Sequence, residues 1–516
     1  MDIKSEFQNK PSSYWLDSSK ATRYRELGKD LQVDVAIIGG GIAGISSAYL
    51  LCKAGARVAV LEADRILQGT TGHTTAKITC QHALIYAKLK KEQGGELAKQ
   101  YAEANEKGLH MIAQIAADNN IKCDFSWQPA YIYTSQEKYV KEIEDEVVAA
   151  QSLGIEADFV EAIKLPIIIE AGLKFPNQAQ FHPLKFLQAL AQEIVKNEGL
   201  IFENTEAVQI VDNQVVITRR GNRIKASEII IASHYPFFDG GAMFFSRIYQ
   251  DRTYILGLTT EEKFPDGYYI SAEAPTRSLR SQPYGKNQEL ILIAGERHKS
   301  GQGGDTNTYY QNLLDFAHQT FKVKDLLHRW STQDCMTLDG IPYIGNLTSR
   351  SPNIYVATGF GKWGMSTGMA SAMIISDMIL QGRSPYAEVF NPSRITPGAI
   401  KSFLIQNLDV AKNFVQGKAG SLPAEVDIEA GEAALIKADK DRIGVYKDEK
   451  GKVYMVDTTC THLGCELNWN QAEKSWDCPC HGSRFSFTGE ILAGPAVEPL
   501  KSLGEGKNRV EARILK

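Results

Sequence analysis

Cysteine and histidine are concentrated in one short stretch near the end of this 516-residue chain. Four of the eight cysteines and two of the ten histidines form two groups, CTHLGC (residues 460–465, box 1) and CPCHGS (residues 478–483, box 2). Thiolates and imidazoles are metal ligands, and two of each could hold a tetrahedral zinc ion. Each box also carries a second cysteine and a glycine, which leaves an iron–sulfur centre as the alternative.

A glycine motif near the start of the chain has the spacing of a phosphate-binding turn. The stretch DVAIIGGGIAGISSAYLLCKAGARVAVLEAD predicts strand, turn, helix and strand at residues 33–38, 39–44, 45–53 and 58–61. Gly39 allows the sharp turn, Gly41 lets backbone amides approach a pyrophosphate, and Gly44 lets helix and strand pack closely. Glu62, at the end of the second strand, is placed to accept hydrogen bonds from a ribose. The pattern predicts dinucleotide binding; the alternative is a structural glycine turn.

Hydroxyl side chains follow this unit in GTTGHTTAKIT, residues 69–79. Thr70, Thr71, Thr74 and Thr75 could donate to phosphate or ring oxygens, although a threonine-rich turn explains the pattern equally well. A second glycine motif, Gly359-x-Gly361-x-x-Gly364, follows a predicted strand at residues 354–358 and opens a predicted helix. Because no strand ending in an acid comes next, this segment is interpreted as the closing strand and helix of the first domain.

Together the two motifs resemble the D-amino-acid-oxidase-like flavoproteins, a family that includes glycine and sarcosine oxidases and amino-acid dehydrogenases. The resemblance covers about residues 31–390 and implies FAD. The contacts that it implies are Gly39, Gly41, Ile42, Ala43, Gly44 and Glu62 on the ADP half, Val208 at the adenine, and Gly361, Lys362, Trp363, Gly364, Met365 and Ser366 at the isoalloxazine. A helix N-terminus there would stabilise the negative charge of a reduced flavin.

The expected fold is an α/β Rossmann-type FAD-binding domain with an inserted α+β substrate domain, followed by a small all-β domain. The FAD-binding parts are predicted at about residues 31–90, 175–240 and 330–385, and the substrate domain at 90–175 and 240–330. A linker helix at 391–419 and the all-β domain at 420–516 follow. For a substrate carboxylate, Arg280, His298 and Lys362 are the candidate catalytic residues, although each is more often a surface charge.

The two boxes resemble those of the Rieske iron–sulfur domain without a mismatch. The resemblance implies a 2Fe-2S cluster in which Cys460 and Cys478 bind one iron and His462 and His481 bind the other. It also implies a disulfide between Cys465 and Cys480. Where high-potential members have a tyrosine two residues after box 2, this chain has Phe485. The missing hydroxyl predicts a lower reduction potential.

The combination suggests a dehydrogenase of an amine or amino-acid-like substrate, whose electrons leave FAD through the tethered cluster for an external acceptor, a protein or a quinone. One alternative is an amine oxidase that uses O2 and has a structural Rieske domain. Another is an electron-transfer or redox-sensing protein without a small substrate. A Rieske oxygenase is excluded, because no two histidines have the spacing of its mononuclear iron site.

Composition excludes some partners. A net charge of −4 gives no electrostatic basis for nucleic-acid binding. The uncharged run at residues 35–52 is interrupted by glycines and predicts a strand and a helix start rather than a transmembrane segment. The N-terminus lacks the apolar region of a secretory signal, and the other cysteines are scattered, as is usual for reduced thiols. We expect a cytoplasmic protein, with peripheral membrane attachment through the linker helix as the alternative.

Overall fold

A computed structural model of the chain describes residues 11–424, 426–438 and 441–503. The predicted end of the last domain, at residues 504–516, lies outside the described residues. The α-helices of the described part are α1 (Tyr14–Asp17), α2 (Ile42–Lys53), α3 (Tyr86–Gln93), α4 (Gly95–Asp118), α5 (Val140–Ser152), α6 (Pro183–Lys196), α7 (Phe244–Arg247), α8 (Asn307–Thr320), α9 (Gly364–Gln381), α10 (Ala387–Phe390) and α11 (Pro397–Ala419). None of these helices combines the length and apolar character needed to span a bilayer.

The first sheet is mainly parallel. Its strands are β1 (Leu31–Ile38), β2 (Val58–Leu61), β7 (Leu200–Phe202), β8 (Ala207–Val211), β9 (Val215–Thr218), β10 (Arg223–Ile231), β16 (Tyr343–Asn346) and β17 (Ile354–Thr358). The central order is β17-β10-β1-β2-β7, with parallel pairing throughout. Both faces carry buried apolar side chains, as is usual for a parallel sheet covered on both sides. The structure confirms the predicted strands at 33–38, 58–61 and 354–358.

Helix α2 begins three residues before the predicted start at residue 45. The Gly41 carbonyl accepts a hydrogen bond from the Ile45 amide at 2.9 Å, so the first helical turn includes the glycine motif itself. Apolar spacing could not reveal this turn, because Gly44 contributes no side chain to the pattern.

The second sheet is larger and mainly antiparallel. Its strands are β3 (Lys77–Ile78), β4 (Ser126–Thr134), β5 (Asp158–Val160), β6 (Ala171–Gln180), β11 (Ile248–Thr260), β12 (Tyr268–Ser271), β13 (Ser278–Tyr284), β14 (Gln288–Lys299) and β15 (Val323–Thr337). The predicted strand at residues 289–296 lies within β14 and is confirmed. Successive side chains of a strand point to opposite faces. Along β11, Thr253 contacts the first domain on what we call the inner face, and Tyr254 packs on α8 at the outer face.

Helix α11 connects the two large sheets to a C-terminal domain of small antiparallel sheets. Its strands are β18 (Ala433–Ala438), β19 (Asp441–Lys447), β20 (Val453–Asp457), β21 (Asn468–Asn470), β22 (Ser475–Asp477), β23 (Arg484–Ser486) and β24 (Ile491–Ala493). Box 1 follows β20, and box 2 connects β22 to β23. An all-β domain was predicted here, and the described residues confirm it.

Candidate active site and metal centre

The first glycine motif forms a close turn between β1 and α2. A β-carbon at Gly44 would overlap the carbonyl oxygen of Gly39, and one at Gly39 would overlap the carbonyl of Ala232. Only glycine fits this contact of helix with strand. The Glu62 carboxylate accepts hydrogen bonds from the amides of Gly40 (2.7 Å) and Asp64 (3.1 Å). Burial raises the pKa of Glu62 above its ordinary value, and these amides oppose the shift.

The threonine-rich segment 69–79, called the threonine loop below, lies against this turn. The Thr71 hydroxyl accepts a hydrogen bond from the Ile42 amide at 3.1 Å, and thus lies at the N-terminus of α2. Thr70 donates to the Gln333 carbonyl at 3.2 Å. The hydroxyls of Thr74 and Thr75 accept hydrogen bonds within their own loop, from Ala76 and Lys77 respectively.

The second glycine motif lies at the N-terminus of α9. Gly361 has a positive φ of 55°, and its amide donates to the Cys335 carbonyl at 3.0 Å. The ring of Trp363 stacks on His82, and Ser366 donates to the Thr79 carbonyl at 2.6 Å. Met365 is buried beside them.

The first turns of helices α2 and α9 pack against each other. One turn into α9, a β-carbon at Gly368 would lie 2.8 Å from the Ile42 side chain, so the two glycine turns are neighbours. Two helix N-termini therefore converge, and each favours negative charge. Val208 lies at a register shift between β8 and β9, which leaves it out of the ladder of paired residues. The arrangement fits an extended dinucleotide with a second anionic group beyond its phosphates.

The three candidate catalytic residues do not lie together. Lys362 is on the inner-face side, where its ammonium donates to Asp334 at 2.9 Å and to Thr253 at 2.6 Å. Arg280, on β13, is fully buried. His298 lies on the outer face, where its ring nitrogens bond the Tyr254 hydroxyl and the Lys299 carbonyl. The alternation of side chains along β11 and its partner β14 separates His298 from Lys362.

Arg280 uses its guanidinium to hold the protein. It donates to the carbonyls of Thr75 (3.0 Å), Ala76 (2.7 Å) and Ser281 (3.1 Å), and to the Gln282 side chain. Four of its five N–H groups are therefore engaged, so Arg280 fixes the threonine loop.

Lys77, within the threonine loop, is a candidate site residue that the sequence motifs did not indicate. Its ammonium donates to the hydroxyls of Thr75 (2.7 Å) and Ser278 (3.1 Å), which leaves one N–H group without a protein acceptor among the described residues. Burial, with a smaller contribution from Arg280, lowers the pKa of Lys77 to about 7. The sequence does contain one indication of this role, because Lys77 is the single lysine in a segment rich in threonine.

In the C-terminal domain, the two boxes form matching turns. The Gly464 amide donates to the Cys460 carbonyl at 2.9 Å, and the Gly482 amide donates to the Cys478 carbonyl at 3.0 Å. Both glycines have positive φ, at 75° and 78°. Glycine adopts this conformation without strain, which explains its place in each box.

The boxes bring the predicted ligands together. A disulfide joins Cys465 and Cys480, whose Cα atoms are 6.5 Å apart. Cys460 and Cys478 are buried thiols, and a hydrogen bond from Cys478 lowers the pKa of Cys460 to about 7. The rings of His462 and His481 have centroids 5.0 Å apart.

Both histidines present an unused nitrogen. The Nδ1 atoms of His462 and His481 are buried and have no hydrogen-bond partner among the described residues. Such atoms are costly unless they bind something. Cys465 and Cys480 lie near Cys478, but as disulfide sulfurs they cannot act as thiolate ligands. The remaining donors, two thiols and two imidazoles, fit the ligand set of a histidine-ligated diiron cluster.

Box 2 packs directly against the outer face of the second sheet. A β-carbon at Gly482 would overlap the Gln250 side chain, and Gln333 donates to the Gly482 carbonyl at 2.8 Å. The ring of Phe245, just before β11, lies 6.3 Å from that of His481. The histidine side of box 2 therefore faces the large N-terminal domain.

A buried charge cluster also crosses this interface. Arg252, on the outer face, lies 3.5 Å from Glu473 of the C-terminal domain, and Tyr310 donates to Glu473 at 2.8 Å. Beside them Arg484 pairs with Asp477 at 3.0 Å. Burial raises the pKa of Glu473 and of Asp477, but the two arginines together with side-chain hydrogen bonds outweigh it and hold both pKa values below their ordinary values.

Comparison with known proteins gives a family match for the N-terminal part and another for the C-terminal domain. Residues 34–378 match the family described as FAD dependent oxidoreductase, and residues 421–504 match the Rieske [2Fe-2S] domain. The Bacillus subtilis (strain 168) protein named as the Rieske 2Fe-2S iron-sulfur protein YhfW is 41% identical over 498 residues, covering 96% of this chain and 97% of its own. The cytochrome b6-f complex iron-sulfur subunit of Chlorobaculum thiosulfatiphilum is 35% identical over 107 residues, 21% of this chain and 52% of its own.

Solved structures share the fold of the N-terminal part. Glycine oxidase from Geobacillus kaustophilus has a TM-score of 0.59 at 17% identity, covering 71% of this chain and 99% of its own. L-proline dehydrogenase from P. horikoshii has a TM-score of 0.59 at 18% identity, covering 71% of this chain and 98% of its own.

We expect Phe485→Tyr to raise the reduction potential of the cluster. Phe485 is fully buried in the same apolar core as Cys460 and Cys478. A phenol that donates to a ligand sulfur stabilises the more negative, reduced cluster. Redox titration monitored by EPR measures the shift. Phe487→Tyr, which adds the same hydroxyl between Tyr446 and Tyr454, is the control. An unchanged or lower potential in Phe485→Tyr contradicts the prediction.

The cofactors follow from these matches. The N-terminal part binds FAD, and the C-terminal domain binds a Rieske 2Fe-2S cluster, which replaces the zinc alternative. The chain belongs to the family of FAD-dependent oxidoreductases and carries a Rieske [2Fe-2S] domain after its flavin-binding part.

Proposed function

We propose that this protein is a dehydrogenase of an amine or amino-acid-like substrate, in which electrons pass from FAD to the Rieske cluster and then to an external acceptor, a protein or a quinone. One observation supports the relay above all. Box 2 packs on β11 and β15, and residues of these same strands hold the glycine loop at the start of α9 through Lys362 and Gly361. A Rieske domain with a purely structural role would not need its cluster-binding loop to pack on the strands that also contact the glycine loop of α9.

The electron balance explains why two kinds of cofactor are present. When bound, FAD accepts a hydride and the cluster accepts single electrons. The substrate loses a hydride from carbon and a proton from nitrogen, so its C–N bond becomes C=N. The two electrons leave one at a time for the acceptor, and the protons pass to water.

The inner face of the second sheet supports an anionic substrate. Arg280 is buried and Lys77 is half-buried there, and neither is ion-paired with a carboxylate among the described residues. Buried cations without a counter-charge are unfavourable, so an incoming carboxylate would be stabilised. Arg280 has one of its five N–H groups left and Lys77 has one of its three, so these two N–H groups are available for direct contact with the carboxylate.

The names of the structural neighbours support the same substrate class. They include glycine oxidase, L-proline dehydrogenase and the L-amino acid deaminase of Proteus vulgaris. Each of those names refers to an amino acid, which is both an amine and a carboxylate.

We expect carboxylate binding to weaken as pH rises through about 7. The lowered pKa of Lys77, about 7, means that its charge is present below that pH and lost above it, while Arg280 stays charged. Acetate affinity, followed by flavin absorbance between pH 5.5 and 8.5, measures this. In Lys77→Met the pH dependence should disappear, with affinity about tenfold weaker at low pH. The exposed Lys91→Met is the control. An unchanged pH profile in Lys77→Met contradicts the assignment.

Anaerobic mixing with a panel of amines and amino acids tests the proposed function. Flavin absorbance should bleach first, and the EPR signal of the reduced cluster should follow. Bleaching without cluster reduction would refute the relay, and stoichiometric peroxide in air would indicate an oxidase instead. If no amine bleaches the flavin while a protein partner reduces it, the protein is an electron carrier.

A further inference from the structure

Three consecutive residues of β15, Gln333, Asp334 and Cys335, touch both halves of the molecule. The Gln333 side chain contacts box 2, as described above. Asp334 accepts a hydrogen bond from Lys362 at 2.9 Å, and the Cys335 carbonyl accepts one from Gly361 at 3.0 Å. The segment therefore holds the glycine loop at α9 on one side and a cluster-binding loop on the other.

The side chain of Gln333 is held firmly in its position. It is only 6% exposed. Its Nε2 donates to the Gly482 carbonyl at 2.8 Å, and its Oε1 accepts from the buried Ser300 hydroxyl at 2.9 Å. Gly482 directly follows His481, so this hydrogen bond fixes the backbone next to a predicted iron ligand.

The backbone of Gln333 reaches the other half. Its carbonyl accepts a hydrogen bond from Thr70, which lies in the threonine loop beside the first glycine turn. One residue thus joins the threonine loop to box 2 through two hydrogen bonds. Among the described residues, Gln333 is the one that hydrogen-bonds to both.

We propose that Gln333 is a positioning residue that sets the separation between FAD and the Rieske cluster. This inference rests on the proposed electron relay. The rate of electron transfer between two centres falls steeply as their separation grows, so a loosened box 2 would slow the transfer. Each transfer would move one electron from reduced FAD to the oxidised cluster. The acceptor would then take that electron from the cluster before the second one follows.

Gln302 offers a matched control. Its Nε2 donates to the carbonyl of Pro479, also in box 2, at 3.0 Å. Gln302 is exposed, however, and bonds Asp409 of α11 rather than the threonine loop. Gln302→Leu therefore removes the same type of hydrogen bond from the same box without touching the connection to the flavin side.

The test compares the loaded, full-length wild type with Gln333→Leu, Gln333→Asn and Gln302→Leu. Asparagine keeps the amide but is one methylene too short, which guards against a folding failure of the leucine variant. Hydrogen exchange of the amides at 480–484 should speed up about tenfold in both Gln333 variants, because a buried carbonyl loses its partner. Stopped-flow absorbance should show unchanged flavin bleaching and slower cluster reduction. Gln302→Leu should match the wild type in both readouts.

Each other outcome overturns the inference. If Gln333 and Gln302 variants behave alike while the wild-type relay operates, the positioning role is wrong and the proposed function stands. If flavin bleaching slows along with cluster reduction, Gln333 acts on the substrate side. If the wild-type cluster is never reduced by substrate, the proposed function and this inference both fail.

Discussion

Replacing Cys478 by serine is expected to abolish the 2Fe-2S cluster while FAD stays bound. Cys478 is 1% exposed and lies beside Cys460 in a site whose other donors are two imidazole nitrogens. Serine supplies no thiolate, and the cluster is held by its thiolate and imidazole ligands alone. Iron and labile sulfide should fall to background. Substrate should still bleach the flavin, but reduction of an external one-electron acceptor should cease.

Cys52→Ser is the matched control for this substitution. Cys52 lies in α2, where burial raises the pKa of its thiol to about 11 and keeps it unreactive. We expect normal iron content and normal acceptor reduction in that variant. A Cys478→Ser protein that retained the cluster signal would show that the ligand assignment is wrong.

Arg252→Leu is expected to destabilise the docked arrangement of the two domains by about 3–5 kcal/mol, because removing one partner leaves a buried charge uncompensated. Arg252 is 1% exposed and lies between Glu473 and the Ser331 hydroxyl. Without it, Arg484 still compensates the carboxylates of Glu473 and Asp477, but with one positive charge fewer beside them. Thermal unfolding followed by cluster absorbance and by flavin release should change from coincident to separate transitions.

The sign of the pH effect follows from the pKa of Glu473. In the wild type this pKa is lowered, so the stabilisation is present above about pH 4.5 and is lost as pH falls through the folded-state pKa. In Arg252→Leu burial dominates and raises the pKa, so the penalty should be greatest near pH 7 and shrink on acidification. Arg297→Leu removes an exposed arginine 3.9 Å from Asp251 and should change stability by less than about 0.5 kcal/mol. Equal effects of the two substitutions would contradict the prediction.

The sequence predicts those parts of the site that depend on neighbouring residues. The turn around Gly39, Gly41 and Gly44, and the two boxes, are local arrangements whose glycines are required by close contacts or positive φ. The predicted bounds of the strands and helix around the glycine turn therefore agree with the observed ones to within three residues. The start of α2 was missed because glycine leaves no apolar signature.

The interface between the domains could not be predicted from the sequence. Arg252 and Gln333 lie in the middle of long strands, and nothing near them in the chain indicates Glu473 or Gly482 as partners. Arg280 and His298 illustrate the same limit. Each flanks or lies on a strand as expected, but only the packing of the sheet shows that backbone carbonyls occupy most of the donors of Arg280 and that His298 faces outward.

The packing of box 2 against the second sheet has a consequence for cluster insertion. Cys460, Cys478 and His481 are all less than 10% exposed once Gly482 is pressed against Gln250. In this arrangement solvent has little access to these three side chains. We therefore expect iron and sulfide to be inserted before box 2 packs against the second sheet.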